Sequence, residues 1–260
     1  MQGITVVTIC FNNLADLQKT CASVDVQTRL PDEHWIINGS VTSDIADWLA
    51  NTPQPGYRKW LNERDQGISD AFNKGIERAS QPITHLLHAG DRYASSQVLE
   101  KVDRFFSAHP EYQWISGNIQ LIRGGKTVIV GKPFEPGKLY RGMRSVSHPT
   151  WFVKKEVYAR AGGFSSAYKI GMDYDLMCRI AREPYGYLNE VIAVFDDSGI
   201  SSTQYLNALK ESKRIYMAYF GFSLKLILWQ FRLKILHYLL KSPFGKGLYQ
   251  LKKSLGLENW

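Results

Sequence analysis

Four short runs of apolar and β-branched residues recur early in the chain, and their spacing constrains the fold most strongly. The runs are ITVVTICF (4–11), HWIING (34–39), RKWLNE (58–63) and THLLHAGD (84–91). Their starts are about 25 to 30 residues apart, which is the length of one strand and one helix. Between the last two runs, residues 68 to 79 carry apolar residues at helical spacing. This alternation predicts an α/β fold with a mostly parallel, Rossmann-like central sheet and helices on both faces.

The second half of the chain has a different pattern. WISGNIQLI and TVIVGKPF are separated by RGGK (123–126), which predicts a β-hairpin. A phosphate-binding loop is disfavoured there because Gln120 stands where that motif requires its first glycine. Helices are expected at 154–161 and 173–182, followed by a strand at 190–195. This half is therefore predicted to be mixed α+β.

The positive charge of the chain is concentrated near its C-terminus. The net charge is +8, and residues 212 to 257 contain nine Lys or Arg residues and no Asp or Glu. An anionic surface is the expected partner of such a segment. Nucleic acid is not expected, because no recognised binding motif accompanies the charge.

The basic segment has no apolar run near the length of about eighteen residues that spanning a membrane requires. On a helical wheel, one narrow stripe is polar and most of the remaining surface is apolar; the stripe consists of Ser223, Gln230, Lys234, His237 and Lys241. This pattern favours a helix in a membrane interface, with Trp229 and Tyr238 near the headgroups. The alternative is a helix that packs on its own domain or on a second copy of the chain, forming a homodimer.

The expected location is the cytoplasm, at the inner face of the membrane. The three cysteines have no metal-ligand spacing and suit a reducing compartment. MQGITVVTICF has no basic residue before its apolar run, so it is predicted to be a strand rather than a signal peptide.

Polar residues follow several of the predicted strands. ITHLLHAGD carries Asp91 to a strand end just past Gly90, and ERDQGISDAFNKG joins a strand to a helix. In open α/β folds ligands bind at such carboxyl ends, and a helix N-terminus favours phosphate. No glycine-rich dinucleotide fingerprint follows the first strand, where the sequence is CFNNLAD.

Six ordered segments resemble family-2 glycosyltransferases of the GT-A fold. They are TICFNN, INGSVTSD, ERDQGISDAFNKGI, LLHAGD, SHPTWFVKKEVYARAGGF and YKIGMDYDLMCRI. The resemblance spans residues 3 to 200 and is strongest to bacterial enzymes of exopolysaccharide, O-antigen and colanic-acid type. It implies a GT-A domain at 1–211, with a nucleotide-binding half (1–111), an acceptor-binding half (112–211) and a basic helical tail (212–260).

The resemblance implies an inverting transfer of one sugar from a nucleoside diphosphate sugar, a UDP-sugar, to a lipid-linked saccharide. The QxxRW element of processive members is absent, which favours single addition.

Asp173 is the implied catalytic base, and Asp91 is the implied ligand of Mn²⁺ or Mg²⁺, with His88 as a further candidate. Ala89 replaces the first carboxylate of the family's metal-binding element. Implied nucleotide contacts are Thr8, Cys10, Phe11, Asn12, Asn38, Asp65, Asn73 and Lys74. Gly90, His148 and Asp175 are expected near the donor and acceptor.

Plainer roles remain open for several of these residues. Asp173 can cap the helix that follows, Lys74 and Asn73 can be solvated, and His88 or His148 can be an ordinary structural histidine. A sugar nucleotidyltransferase is a rival function, although its N-terminal glycine-rich loop is missing. A noncatalytic nucleotide-sugar-binding scaffold on the membrane is a second rival, and Ala89 favours it.

Overall fold

The computed structural model describes residues 2–123, 126–143, 146–194, 204–242 and 245. The strands are β1 (Ile4–Cys10), β2 (Glu33–Asn38), β3 (Arg58–Asn62), β4 (Ile83–His88), β5 (Arg92–Tyr93), β6 (Trp114–Arg123), β7 (Lys126–Val130), β8 (Phe152–Lys154) and β9 (Tyr185–Val194). The helices are α1 (Leu14–Asp25), α2 (Asp44–Asn51), α3 (Ile68–Arg78), α4 (Val98–Ala108), α5 (Lys155–Ala161), α6 (Met172–Ile180), α7 (Tyr205–Phe220) and α8 (Leu224–Lys241). Short 3-10 helices cover Pro136–Arg141 and His148–Thr150.

The first half of the sheet is parallel, as the alternation predicts. Its strands lie in the order β3-β2-β1-β4. The register pairs Cys10 with Asn38 and Asn38 with Asn62, so three polar or sulfur-bearing side chains end adjacent strands in one row. His88 ends β4 beside Ile9 of β1. The carboxyl edge of these strands is therefore the polar edge that the sequence predicts.

The second half continues the same sheet with mixed strand directions. β8 pairs antiparallel with β4 and β6, while β9 runs parallel to β6. The predicted hairpin is confirmed by antiparallel pairing of β6 with β7; its turn, Gly124 and Gly125, lies outside the described residues. The strand expected at 190–195 begins earlier, at Tyr185, and Phe195 also lies outside them. β5 and β8 have two and three residues, too short to show a hydrophobic period.

Buried side chains of β1 point alternately to two cores, because successive residues of a strand face opposite sides of the sheet. Val7 packs with Phe72 of α3, Trp114 of β6 and Leu176 of α6. Val6 packs on the other face with Phe106 of α4. Helices cover both faces, and α3 and α6 share one of them. That sharing brings the starts of α3 and α6 close together.

The helix α8 packs on the domain along a face that includes only part of the polar stripe, since Lys234 and Lys241 are exposed. Its buried residues are Leu226, Gln230 and Leu233. The Gln230 amide donates to the Leu209 carbonyl oxygen at 2.8 Å, and the His237 ring stacks on Tyr205 with centroids 5.1 Å apart. Trp229 is half-buried beside Tyr140, and Tyr238 is 62% exposed, so their expected position near headgroups stays a prediction.

The apolar side of α8 faces outward instead. Leu224, Leu228, Phe231, Ile235 and Tyr238 form an exposed row, called here the outer stripe, with exposed fractions from 52% to 63%. Among the helices that the structure describes, none combines the length and apolar composition needed to cross a bilayer.

Candidate active site

A cavity of about 570 Å³ opens at the carboxyl edge of β1 and β4, beside the N-terminus of α3. Ligand pockets typically measure about 300 to 1,000 Å³. The cavity is called here the nucleotide cavity because the sequence predicts nucleotide contacts for part of its wall. It is lined by Ile9, Cys10, Phe11, Asn13, Asp65, Gly67, Ile68, Ala71, His88 and Ala89. Cys10, Phe11, Asp65 and His88 are residues that the sequence assigns to nucleotide or metal. The structure thus gathers parts of three separate motifs around one space.

The turn after β1 is locked to the loop after β2 by Asn12. Asn12 has a left-handed φ of 52°. Its side-chain oxygen accepts the Val41 N–H at 3.0 Å, and its own N–H donates to Ser40 Oγ at 2.8 Å. This arrangement leaves the Phe11 ring 60% exposed at the cavity. An exposed aromatic ring of this kind offers a flat surface on which a base can stack.

Asp65 is held against the glycine that follows β2. Its carboxylate accepts the Gly67 N–H at 2.9 Å. A Cβ added to Gly39 would lie 1.7 Å from Asp65 Oδ2, so the absence of a side chain at Gly39 lets the carboxylate lie there. Nearby, the Asn38 amide donates to Asn62 Oδ1 at 2.9 Å. The Asn38 side chain therefore points along the carboxyl edge of the sheet towards β3.

Burial raises the pKa of the Cys10 thiol to about 12, and nearby acidic groups act in the same direction. The thiol is therefore neutral at physiological pH. Cys10 therefore forms part of the cavity wall and does not supply a reactive thiolate.

Asp91 lies in a tight turn directly behind the cavity. Gly90 adopts a φ of +109°, which favours glycine, and its N–H donates to Thr20 Oγ1 at 2.9 Å. The Thr20 hydroxyl also lies 2.8 Å from the Asp91 carbonyl oxygen. The Asp91 carboxylate is buried and accepts the His88 N–H at 3.3 Å. The turn fixes Asp91 beside the end of β4.

The fit of this region to a divalent metal depends on the donors present. Within the described ranges, no three His, Cys, Asp or Glu side chains are grouped so as to hold a metal ion. Mg²⁺ and Mn²⁺ are commonly bound through one or two carboxylates together with substrate phosphates and water. Asp91 at the strand end fits that arrangement, in which the diphosphate supplies further oxygen ligands.

His88 and His148 come together over one aromatic ring. The rings of Phe72 and His88 lie 4.9 Å apart, those of Phe72 and His148 5.1 Å apart, and those of His88 and His148 6.2 Å apart, between centroids. Burial lowers the pKa of His88 to about 4 and that of His148 well below its usual value. Both imidazoles are neutral at pH 7 and can donate or accept one hydrogen bond from each nitrogen as their tautomer allows.

Asp173 lies in the first turn of α6 and is partly exposed. Burial raises its pKa to about 6, while the Tyr174 N–H, 2.7 Å from Asp173 Oδ1, opposes the shift. A carboxylate with a pKa near neutrality is ionised at pH 7 and still accepts a proton readily. These are the properties of a general base.

The segment before Asp173 is held by a residue that the sequence does not single out. Glu211 of α7 accepts the backbone N–H groups of Lys169, Ile170 and Gly171 at 3.3, 2.9 and 2.8 Å. An isolated Glu in a helix carries no sequence signal of such a role. Its function becomes visible only when α7 packs beside α6.

Asp175 is turned away from Asp173 and is almost fully buried. One of its carboxylate oxygens contacts Arg179 at 2.7 Å, and the other accepts the Tyr219 hydroxyl at 2.8 Å. These contacts join α6 to the end of α7.

Five of the eight predicted nucleotide residues do not line the cavity: Asn12 and Asn38, described above, and Thr8, Asn73 and Lys74. Thr8 is fully buried in the sheet, and its hydroxyl contacts His34 Nε2 at 2.9 Å. Asn73 exchanges two hydrogen bonds with the backbone of Phe164, at 2.9 and 2.7 Å. Lys74 binds Glu63 at 2.7 Å and the Arg64 carbonyl oxygen at 2.7 Å. Their polar groups are used to position strands and loops.

Some lining residues were not predicted from the sequence. Asn13 caps α1 and also lines the cavity, and Ile68 and Ala71 present one face of α3 to it. Asn13 stands in the TICFNN segment beside predicted residues, so its position in that segment was the available signal. Ile68 and Ala71 show only the helical apolar period, which does not separate core from cavity wall.

Comparison with known proteins gives a consistent result. Residues 5–160 match the profile of Glycosyl transferase family 2. An uncharacterized glycosyltransferase of Mycobacterium tuberculosis is 32% identical over 204 residues, covering 76% of this chain and 77% of its own.

Two proteins of known structure, PcManGT and TarS, share the fold. The mannosyltransferase PcManGT from Pyrobaculum calidifontis, in complex with GDP-Man and Mn²⁺, has a TM-score of 0.62 at 14% identity and covers 99% of this chain and 81% of its own. TarS 1-349 of S. aureus in complex with UDP-GlcNAc has a TM-score of 0.61 at 12% identity and covers 83% of this chain. This chain spans 66% of that fragment and 40% of the TarS chain in a longer structure. The chain has the GT-A fold and belongs to glycosyltransferase family 2.

Proposed function

We propose that this glycosyltransferase moves one sugar from a UDP-sugar to a lipid-linked saccharide, with inversion at the anomeric carbon. The observation that carries the proposal is the nucleotide cavity at the carboxyl edge of β1 and β4, which is lined by residues from three family motifs. Residues 1–111 bind the donor in this proposal, and residues 112–211 bind the acceptor. TarS was solved with UDP-GlcNAc, which supports a uridine nucleotide, whereas PcManGT was solved with GDP-Man.

The nucleotide lies across the strand ends in this proposal. Phe11 stacks on the base, and Asp65 and Asn38 bind the nucleoside through hydrogen bonds. Gly90 and His88 approach the diphosphate, and His148 hydrogen-bonds at the junction of donor and acceptor. Thr8, Asn12, Asn73 and Lys74 act by holding the strands and loops that carry these groups, since their described contacts are within the protein.

Asp173 deprotonates the acceptor. The carboxylate accepts the proton of the attacking hydroxyl as its oxygen bonds to the anomeric carbon, and the bond from that carbon to the diphosphate breaks. The nucleoside diphosphate leaves with the bonding electron pair. Asp175 supports the base indirectly, because its contacts with Arg179 and Tyr219 fix the first turn of α6.

A divalent metal, Mn²⁺ or Mg²⁺, would be held by Asp91 and the diphosphate, with His88 as a further candidate ligand. Bound there, it would neutralise the negative charge that develops on the leaving diphosphate. PcManGT, which was solved with Mn²⁺, supports this assignment.

We also propose that α8 rests on an anionic membrane at the cytoplasmic face. Large exposed apolar surfaces mark interaction sites, and the outer stripe is such a surface. Cations flank it while residues 212 to 257 contain no acid. A second copy of the chain would bring like charges together along this surface, whereas anionic lipid would neutralise them. A homodimer through the C-terminal helices is therefore the weaker alternative.

Transfer can be tested with purified full-length protein and UDP-sugars. We expect one UDP-sugar to raise the melting temperature in the presence of Mn²⁺, because a ligand that binds the folded state stabilises it. The same donor should be slowly hydrolysed, and added lipid-linked saccharide should convert hydrolysis to transfer. Binding of the donor with neither hydrolysis nor transfer to any acceptor would instead support a noncatalytic scaffold.

A further inference from the structure

A second cavity lies on the acceptor side of the domain. It measures about 460 Å³ and is bounded by the end of β7, the segment 131–143, Met177 of α6 and Trp229 of α8. We call it the acceptor-side cavity. None of the nucleotide-binding residues assigned above lines it, so it is a separate space.

The acceptor-side cavity is cationic. Lys132, Lys138 and Arg141 line it together with one acid, Glu135. Glu135 lies 2.5 Å from Lys138 and neutralises that charge. No carboxylate among the residues with described positions forms an ion pair with Lys132 or Arg141. Among the residues whose positions are described, no acid therefore neutralises the charges of Lys132 and Arg141.

Two guanidinium groups share the indole of Trp229 at the edge of this cavity. Arg141 lies 5.2 Å and Arg232 5.3 Å from the ring centroid. Stacking orients a guanidinium so that its edge can donate to the oxygens of an anion. The Nε–H of Arg141 already donates to the Tyr140 hydroxyl at 3.0 Å, so its terminal nitrogens are the donors for a ligand. Arg141 lines the cavity, and Arg232, which does not line it, adds positive charge near its edge that would also attract an anion bound there.

The cavity lies close to the proposed base. Met177 is four residues after Asp173 on α6, so the two side chains lie on one face of the helix, about 6 Å apart along its axis. The cavity wall is also tied to α6, since the Tyr174 hydroxyl donates to the Leu139 carbonyl oxygen at 2.6 Å. A ligand anchored here can present a hydroxyl to Asp173.

The cavity also opens beside the outer stripe. At 100° per residue, Arg232 lies between Trp229 and Leu228 around α8. Leu228 belongs to the outer stripe and is 60% exposed. Positive charge in the cavity thus continues directly into exposed apolar surface, which is the combination that matches a lipid ending in phosphate.

We propose that the acceptor-side cavity binds the phosphate or diphosphate through which the acceptor saccharide is attached to its lipid. Lys132 and Arg141 bind the phosphate oxygens, Arg232 adds positive charge near the edge of the cavity, and the lipid chain lies on the outer stripe. The saccharide then extends over Met177 towards Asp173. This inference rests on the proposed function, because it names the recognised group of the same acceptor.

The probe is farnesyl diphosphate, titrated calorimetrically into the full-length protein with saturating UDP and Mn²⁺, so that the nucleotide cavity is filled. We expect wild type to bind, and Arg141→Gln and Lys132→Gln to bind at least about tenfold more weakly, because each loses charge-assisted hydrogen bonds to the diphosphate. Lys225→Gln is the matched control: it removes the same charge from an exposed position of α8 outside the cavity, and its affinity should equal that of wild type.

Equal affinities of Arg141→Gln, Lys132→Gln and Lys225→Gln would overturn the proposal, as would the absence of binding to wild type. Hydrolysis of the UDP-sugar in water, which needs no acceptor, should be unchanged in all three variants. If wild type neither hydrolyses a UDP-sugar nor transfers its sugar to any acceptor, the proposed function fails independently of the probe. If phosphatidylglycerol vesicles displace farnesyl diphosphate and bind Arg141→Gln more weakly than Lys225→Gln, the site takes bilayer headgroups, and the acceptor assignment is wrong.

Discussion

Ser69 Oγ lies 3.0 Å from Sδ of Met172, and this contact joins the start of α3 to the start of α6. Ile68, the residue before Ser69, lines the nucleotide cavity, and Asp173 follows Met172. The Ser69 hydroxyl also donates to the Ser165 carbonyl oxygen at 3.2 Å. Two segments about a hundred residues apart thus meet at one point. The first turn of α6, which carries Asp173, is thereby held against the first turn of α3, which carries a residue of the cavity wall.

Replacing Asp173 by Asn should abolish transfer while stabilising the protein at neutral pH. Loss of a general base lowers kcat by about 100- to 10,000-fold. Because burial raises the Asp173 pKa to about 6, the ionised carboxylate destabilises the folded state above that pH. The melting temperature of the variant should exceed that of wild type at pH 7.5, and the difference should shrink as the pH falls from 6 towards 4.

Activity and melting temperature across this pH range are the two measurements. For wild type, kcat should fall as the pH drops below about 6. A folded Asn variant that retains full transfer activity would remove Asp173 from the mechanism.

Gly39→Ala should weaken nucleotide binding and leave the fold intact. The added methyl group would collide with Asp65 Oδ2, so the carboxylate must leave its present position at the cavity. Gly56→Ala is the control, because nothing lies within 4 Å of a Cβ at that position. Calorimetric titration with UDP should show a higher Kd for Gly39→Ala alone. Equal Kd values would mean that Asp65 does not contact the nucleotide.

Asp91→Asn should reduce the effect of Mn²⁺ on donor binding. The amide keeps the size of the side chain but removes the negative charge that attracts the cation. Substitution of residues that hydrogen-bond to metal ligands lowers metal affinity or activity by about 10- to 100-fold. Substitution of a ligand itself should therefore lower Mn²⁺ affinity at least as much. Titrating Mn²⁺ in the presence of UDP and comparing with EDTA measures the effect. An unchanged Mn²⁺ dependence would exclude Asp91 as a ligand.

Glu211→Gln should lower kcat more than it changes the KM for the donor. The Glu211 carboxylate accepts three backbone N–H groups just before Asp173, and a neutral amide offers one weaker acceptor oxygen. Glu211 is a positioning residue in this view, so the acid limb of the pH profile should also move. Glu77→Gln, on the distant end of α3, is a matched control. A purely structural role would lower stability and leave kcat and the profile of the folded enzyme unchanged.

Leu228→Ser combined with Phe231→Ser should abolish binding to anionic vesicles without lowering the melting temperature. Both side chains are more than half exposed, so their loss removes little internal packing. Val26→Ser combined with Leu30→Ser changes exposed apolar residues elsewhere and should leave vesicle binding unchanged. Sedimentation of the wild type distinguishes the alternative: a dimer that the α8 substitutions dissociate would show that a second copy covers the outer stripe.

Much of the fold follows from local sequence patterns. The four apolar runs became β1 to β4, and the helical period at 68 to 79 became α3, because strand and helix periods are set within a few turns of the chain. The hairpin of β6 and β7 was likewise readable from two strands flanking a glycine pair. β5 and β8 were not, since their short pairings exist only when distant strands are already in place.

The sequence by itself determined the class of the fold, the polar ends of its parallel strands and the basic apolar character of the tail. Only the tertiary structure decided how those groups are used. Lys74 forms an ion pair with Glu63, and the Asp175 carboxylate binds Arg179 and the Tyr219 hydroxyl, because each charged group binds the partner that packing brings nearest. The same holds for α8: contacts with Leu209 and Tyr205 turn Gln230 and His237 towards the domain and leave the outer stripe exposed. A helical period defines two faces, but only the neighbouring helix selects which of them is buried.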